Sequence, residues 1–196
     1  MRVLGVDPGL SRCGVGVVEG RRSRPVAVRA GVVRTSPGEA VAQRLATLHA
    51  ELTALIVETR PDAIAVERVF FNANVGTATG VGQAAGVVLL CAAQAGVDVV
   101  EYTPSQVKAA VTGDGSADKS QVGYMVAAQL RLAQAPRPAD AADALALALC
   151  HLQQPGRPGH AGMSPRLAAA AAAAGPGAQI VERVVERRRA QVTEPP

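Results

Sequence analysis

Apolar positions in this 196-residue chain follow two periods, and the switches between them mark out its elements. Residues 1–9 (MRVLGVDPG) form an apolar run that stops on Asp7. Val3, Leu4 and Val6 are strand formers, whereas Pro8 cannot donate to a central ladder and Gly9 accepts positive φ, so a short buried strand ends at Asp7. Residues 13–19 (CGVGVVE) and 25–33 (PVAVRAGVV) alternate small and apolar side chains around the basic turn Arg21-Arg22-Ser23-Arg24, which predicts an antiparallel three-strand meander. Over residues 39–59 the period becomes helical, with Val41, Leu45, Leu48, Leu52, Leu55 and Ile56 on one side of an amphipathic helix that begins near Ser36-Pro37 and closes at Pro61. His49 reads as a solvated or half-buried residue of that helix. Residues 62–67 (DAIAVE) are a second strand ending on a carboxylate. Because a helix precedes it, a right-handed crossover predicts it parallel to the first strand, with Asp7 and Glu67 at the same sheet edge.

After Phe70-Phe71 and a polar loop over 72–79, residues 80–96 are uncharged on every face, as in a helix buried on more than one side. A strand over 97–102 follows, then Thr103-Pro104, an N-cap hydroxyl with proline at the first helical position. Residues 111–118 (VTGDGSAD) are a glycine-rich loop without the GxxxxGK[ST] pattern of a nucleotide P-loop. Helices are predicted over 119–132 and, after Pro136 and Pro138, over 139–152. In the latter, Asp140 and Asp143 stand three apart on one face of the first turn, where either alone could serve as a cap. Beyond 152 the composition shifts to Pro and Gly, an alanine tract at 168–174 and a charged helix candidate at 179–191 ending in Arg187-Arg188-Arg189. The expected organisation is one α/β domain over 1–155 and a flexible, low-complexity C-terminal tail over 156–196.

Composition sharpens this. The chain is 48% hydrophobic but only 2% aromatic, so Val, Leu, Ile and Ala must build the core, and Phe70, Phe71, Tyr102 and Tyr124 are individually informative. Of the net charge of +4, residues 1–152 hold +1 and the tail +3. Cys13, Cys91 and Cys150 are widely spaced in apolar surroundings with no CxxC pair, as expected of reduced core cysteines in a cytosolic protein. Asp7 interrupts the N-terminal apolar run too early for a signal peptide, and the uncharged apolar segments near 84–95 and 168–174 fall short of the roughly 20 residues of a membrane span.

An ionised carboxylate at the end of a buried strand is costly unless a cation or donors meet it. Two strand-end acids plus two on one helical turn suit hard divalent cations, which take oxygen ligands, and no Cys or His cluster suggests zinc. Two such cations about 4 Å apart can activate a water and stabilise a leaving oxygen.

The segments VLGVDPG, VERVF, QVK, GSADKSQV and ADAADALA, in that order and spacing over residues 2–152, resemble the RuvC-type Holliday-junction resolvases. The resemblance implies an RNase H-like fold with a five-stranded mixed sheet flanked by helices, and a cytoplasmic homodimer that cuts four-way DNA junctions with Mg²⁺ into symmetric nicks with 5′ phosphates. It further implies RuvA and RuvB as branch-migration partners. By motif, Asp7, Glu67, Asp140 and Asp143 correspond to catalytic metal-binding carboxylates, Phe70 to an aromatic near the junction bases, and Lys108 and Lys119 to basic residues near the scissile backbone. If the chain is extended at Phe70-Phe71, one ring packs inward and the other faces DNA. Residues 72–83 carry no basic residue where relatives can carry lysine. Lys108 and Lys119 are the only lysines beside 18 arginines, and they flank the glycine-rich loop, which could close over a phosphate. The rivals are an RNase H-like nuclease acting on RNA or RNA–DNA hybrids, which would share the acids, and a junction-binding module, which would not need them. An actin-like ATPase also opens with strand-Asp-Gly but requires a second comparable domain.

Overall fold

The computed structural model describes residues 1–68 and 75–154. Phe70, Phe71 and the tail expected over 156–196, with its basic helix candidate, lie outside the described residues. Three strands open the fold, β1 (Arg2–Asp7), β2 (Arg12–Arg21) and β3 (Arg24–Arg34), and they pair antiparallel as a meander whose hairpin turn is shorter than the basic turn predicted for it. After helix α1 (Val41–Thr59), β4 (Ala63–Glu67) lies parallel to β1, and after α2 (Val75–Ala95), β5 (Asp98–Tyr102) lies parallel to β4. The sheet order is β3-β2-β1-β4-β5, the five-stranded mixed sheet that the resemblance implied. Helices α3 (Pro104–Thr112), α4 (Lys119–Leu130) and α5 (Ala139–Gln153) complete the described residues.

Strand period decides which side chains meet which helices. On β1, Leu4 and Val6 point to the core shared with α1 and α2, and Val3 to the core shared with α3, α4 and α5. Asp7 has the parity of Val3 and Gly5, so it faces α5. On β4, Ile64 and Val66 join the α1 side and Ala65 the α5 side, which places Glu67 on the same face as Asp7. Register brings them together: Val6 pairs with Val66, so the next step sets Asp7 beside Glu67, about 4.8 Å away in strand spacing.

Burial on more than one side, against the sheet and another subunit, is expected of the uncharged helix near 80–96; within this chain, unbroken burial is found on α5, where 144–152 are all buried. Alanines 141, 142, 144, 146 and 148 keep this helix thin, and glycines of the sheet let it approach. A Cβ on Gly5 would sit 1.9 Å from the Ala144 carbonyl oxygen, one on Gly14 2.1 Å from that of Asp140, and one on Gly16 2.7 Å from the Leu145 nitrogen. By contrast α2 buries one stripe, Ala84, Val88, Cys91 and Ala92, and exposes Leu89 and Leu90. It starts at Val75, within the loop expected over 72–79, and its stretch Ala78–Ala95 is long and apolar enough to cross a bilayer, contrary to the shorter run counted from sequence. Only 22% of that stretch is buried, and the stripe on the sheet side takes up that part of its apolar surface. All three cysteines are buried and none is in a disulfide among the described residues.

Candidate active site

Four carboxylates converge at the carboxyl end of the two central parallel strands. Asp7 and Glu67 end β1 and β4. The first turn of α5 lies over Gly14, the β2 partner of Asp7, and brings Asp140 and Asp143 to the same place. Neither of these acids caps its helix: Pro138 occupies the N-cap and no side chain bonds there.

The electrostatics follow from this crowding. Burial, reinforced by Glu67, Asp143 and Asp140, pushes the Asp7 carboxyl up to about 7, with Lys119 opposing. Burial and then Asp143 raise Glu67, again against Lys119. Asp140 is held below the usual carboxylate range by Arg12, whose Nε donates to its Oδ2 at 3.1 Å and whose Nη2 donates to the same oxygen. Lys119 Nζ donates to Asp143 Oδ2 at 3.3 Å, and the Asp143 charge raises the lysine.

Both lysines reach this edge from capped helices. Thr103 and Gln106 form a capping box that starts α3 and leads to Lys108, and Asp118 and Gln121 form another that places Lys119 at the first position of α4. Lys108, Lys119, Glu67 and Asp143 line one pocket of about 270 Å³ floored by Val107, Val122, Ala146 and Leu147. The loop between the lysines is tied internally, with Ser116 N and Oγ both donating to Asp114 Oδ1.

The donor set fits a hard divalent cation: oxygen ligands only, in a cleft where burial, and after it three neighbouring acids, push one carboxyl up to about 7. Among the described residues no three acids, cysteines or histidines already stand together as a metal-ligand group, and Arg12 and Lys119 are paired with the two α5 acids. His49 is half-buried and bonded to Gln94, and His151 is buried against the Tyr102 hydroxyl at 2.8 Å, away from the acids. Sequence reasoning missed Arg12 and the glycine cradle. Arg12 pairs with a residue 128 positions away and sits in no motif. The cradle had a signal, since glycines at alternate positions inside a strand pattern mark close backbone approach.

A mixed sheet of this order, with acids ending its parallel strands and on the helix packed across them, defines an RNase H-like nuclease. The profile of the RuvC family, crossover junction endodeoxyribonuclease, matches residues 3–151. The crossover junction endodeoxyribonuclease RuvC of Salinispora arenicola is 58% identical over 172 residues, covering 87% of this chain and 95% of the relative. That of Frankia alni is 61% identical over 153 residues, 78% of each chain. The structure of T. thermophilus RuvC in complex with a Holliday junction substrate superposes with a TM-score of 0.76 at 42% identity, covering 79% of this chain and 94% of the other. The chain belongs to the RuvC family of crossover junction endodeoxyribonucleases.

Proposed function

We propose that the chain resolves four-way DNA junctions by paired Mg²⁺-dependent nicks in recombination and repair, and that Asp7, Glu67, Asp140 and Asp143 hold the metal. The observation that carries this is the convergence of four acids from three elements beside a two-lysine pocket. Bound there, Mg²⁺ supplies the charge stabilisation and water activation that phosphodiester hydrolysis needs. The chain's own residues do the rest. Asp7 and Glu67, fixed by β1–β4 register, set the floor of the site, and α5 sets its wall. Lys108 and Lys119 would meet a backbone phosphate in the adjoining pocket, with Phe70 assigned to the junction bases by motif and one ring of the Phe70-Phe71 pair facing DNA. In-line displacement of the 3′ oxygen leaves 5′-phosphate ends.

A junction with twofold symmetry calls for a twofold enzyme, and the exposed, uncharged face of α2 with Leu89 and Leu90 suits an isologous homodimer contact. Cytoplasmic action with RuvA and RuvB completes the proposal by family. Incubating the purified protein and Mg²⁺ with a four-way junction, a linear duplex and an RNA–DNA hybrid tests it: symmetric nicking of the junction alone is expected, and cutting of the hybrid would favour the rival nuclease.

Lys108→Ala and Lys119→Ala should each weaken junction binding or slow cleavage across sequences and make the salt slope shallower by about one unit. Unchanged slopes and unchanged rates would return both lysines to a solvated surface role. We also assign catalysis to residues 1–155, so a chain ending at 156 should remain a folded, dimeric, Mg²⁺-dependent nuclease. Sedimentation and cleavage assays check this, and a monomeric or insoluble truncation would show that the tail packs on the domain.

A further inference from the structure

The two α5 acids are each held by a cation of the chain, whereas the ion pairs among the described residues leave out Asp7 and Glu67. The Arg12–Asp140 pair is the more built of the two. Both guanidinium hydrogen bonds go to one oxygen, Oδ2. The turn that presents Arg12 is braced from behind: Thr35 N donates to the Ser11 carbonyl at 3.2 Å, and Thr35 Oγ1 to the Leu10 carbonyl at 2.5 Å. The buried guanidinium of Arg44 then donates to Thr35 Oγ1 at 2.9 Å and to Ser11 Oγ at 2.5 Å. Arg44 sits in the first turn of α1 and is 8% exposed, and no ion pair among the described residues includes it. A buried cation bonded only to neutral oxygens fixes chain position rather than charge balance. Arg12 therefore leaves a rigid turn at the mouth of the acid cleft, with its side chain 43% exposed.

We propose that Arg12 is a latch on the metal site: it holds the Asp140 carboxylate while no divalent cation is bound, and turns to a DNA phosphate once a cation takes that carboxylate. This rests on the reading of the four acids as metal ligands. A guanidinium and a divalent cation draw on the same carboxylate charge and repel each other, so a cation on Asp140 weakens the hold of Arg12 on that carboxylate. The released fork matches a phosphate as well as it matches a carboxylate. The exchange keeps the arginine from a cost in either state, and it makes cation binding and junction binding favour each other by the same factor. Arg12 is a positioning residue for Asp140 in one state and a DNA contact in the other.

Arg12→Gln keeps a long polar side chain and removes the charge. In the absence of DNA, calorimetric titration with Mg²⁺ should show the variant binding about two- to fivefold more tightly than wild type, the range an exposed ion pair contributes. Asp7→Asn in parallel should lose saturable Mg²⁺ binding. Equal or weaker Mg²⁺ affinity in Arg12→Gln, with Asp7→Asn blocked, overturns the latch and leaves the metal site standing. Saturable binding unaffected by Asp7→Asn, or none in any of the three proteins, overturns the metal-site reading and the latch with it. The second arm is junction affinity against salt, with Ca²⁺ and with EDTA. The variant's slope should be shallower by about one unit with Ca²⁺ and unchanged in EDTA. An equal loss in both, or in neither, shows that Arg12 does not change partners and overturns the proposal.

Discussion

Asp7→Asn is expected to lower junction cleavage at least about a hundredfold, since even partners behind a metal's direct ligands are worth 10- to 100-fold, while junction affinity stays the same or rises. The amide removes an anionic oxygen ligand and one negative charge near the DNA phosphates. Cleavage and gel-shift assays on one preparation decide it, and loss of both activities in a folded variant would contradict the assigned role. The same substitution has a signature in stability. The Asp7 carboxyl titrates at about 7 in the fold against an ordinary 3.8, so folding favours its protonated form. That contribution is fully present below pH 4 and is lost as pH rises through 7. Metal-free Asp7→Asn should therefore melt above wild type at pH 8, by an amount corresponding to no more than about 4 kcal/mol, and the two should converge near pH 4. Excess Mg²⁺ should shrink the gap by stabilising wild type, because a ligand that binds only the folded state raises its melting temperature. A metal-free Asp7→Asn that melts below wild type at pH 8 would mean that the carboxylate is met by donors rather than by other acids.

The second large effect is expected at the glycines under α5. Alanine at Gly5 or Gly14 places a Cβ within 1.9 Å or 2.1 Å of a helix carbonyl oxygen, and backbone cannot swing aside as a side chain can. The helix must lift. Overpacking of this kind costs about 1–3 kcal/mol and sometimes more, so Gly5→Ala should lower the melting temperature by up to about 10 °C. Gly14→Ala acts where the Asp140 carbonyl rests on the sheet, and it should move Asp140 and Asp143 relative to Asp7 and Glu67. A displacement of about 1 Å is worth roughly 100-fold in rate, so cleavage at a temperature where the variant is fully folded should fall by that order. Gly31→Ala on β3, with nothing within 4 Å of its added Cβ, is the control and should change neither quantity. Full cleavage by Gly14→Ala would show that the acids tolerate a lifted helix.

Much of this site is local in origin and therefore legible in the chain itself. An apolar run broken by Asp7-Pro8-Gly9, a second run ending on Glu67, and two acids three apart at a helix start each follow from turn chemistry or period within a few residues. The capping boxes at Thr103 and Asp118 are likewise written into neighbouring positions, and so is the choice of strand or helix for nearly every element. What sequence period could not decide is which faces meet. The parity of β1 and β4 toward α5, the register that sets Asp7 beside Glu67, and the approach of α5 to glycines at 5, 14 and 16 depend on contacts between segments far apart in the chain, as Val6 with Val66 and Gly5 with Ala144. For the same reason unbroken burial within the chain fell to α5, since burial is set by what packs on a helix as well as by its composition. Arg12 is the clearest case. Its pairing with Asp140 has no local signature, because an ion pair needs only proximity in space, and that proximity exists only once β2 and α5 share a sheet face.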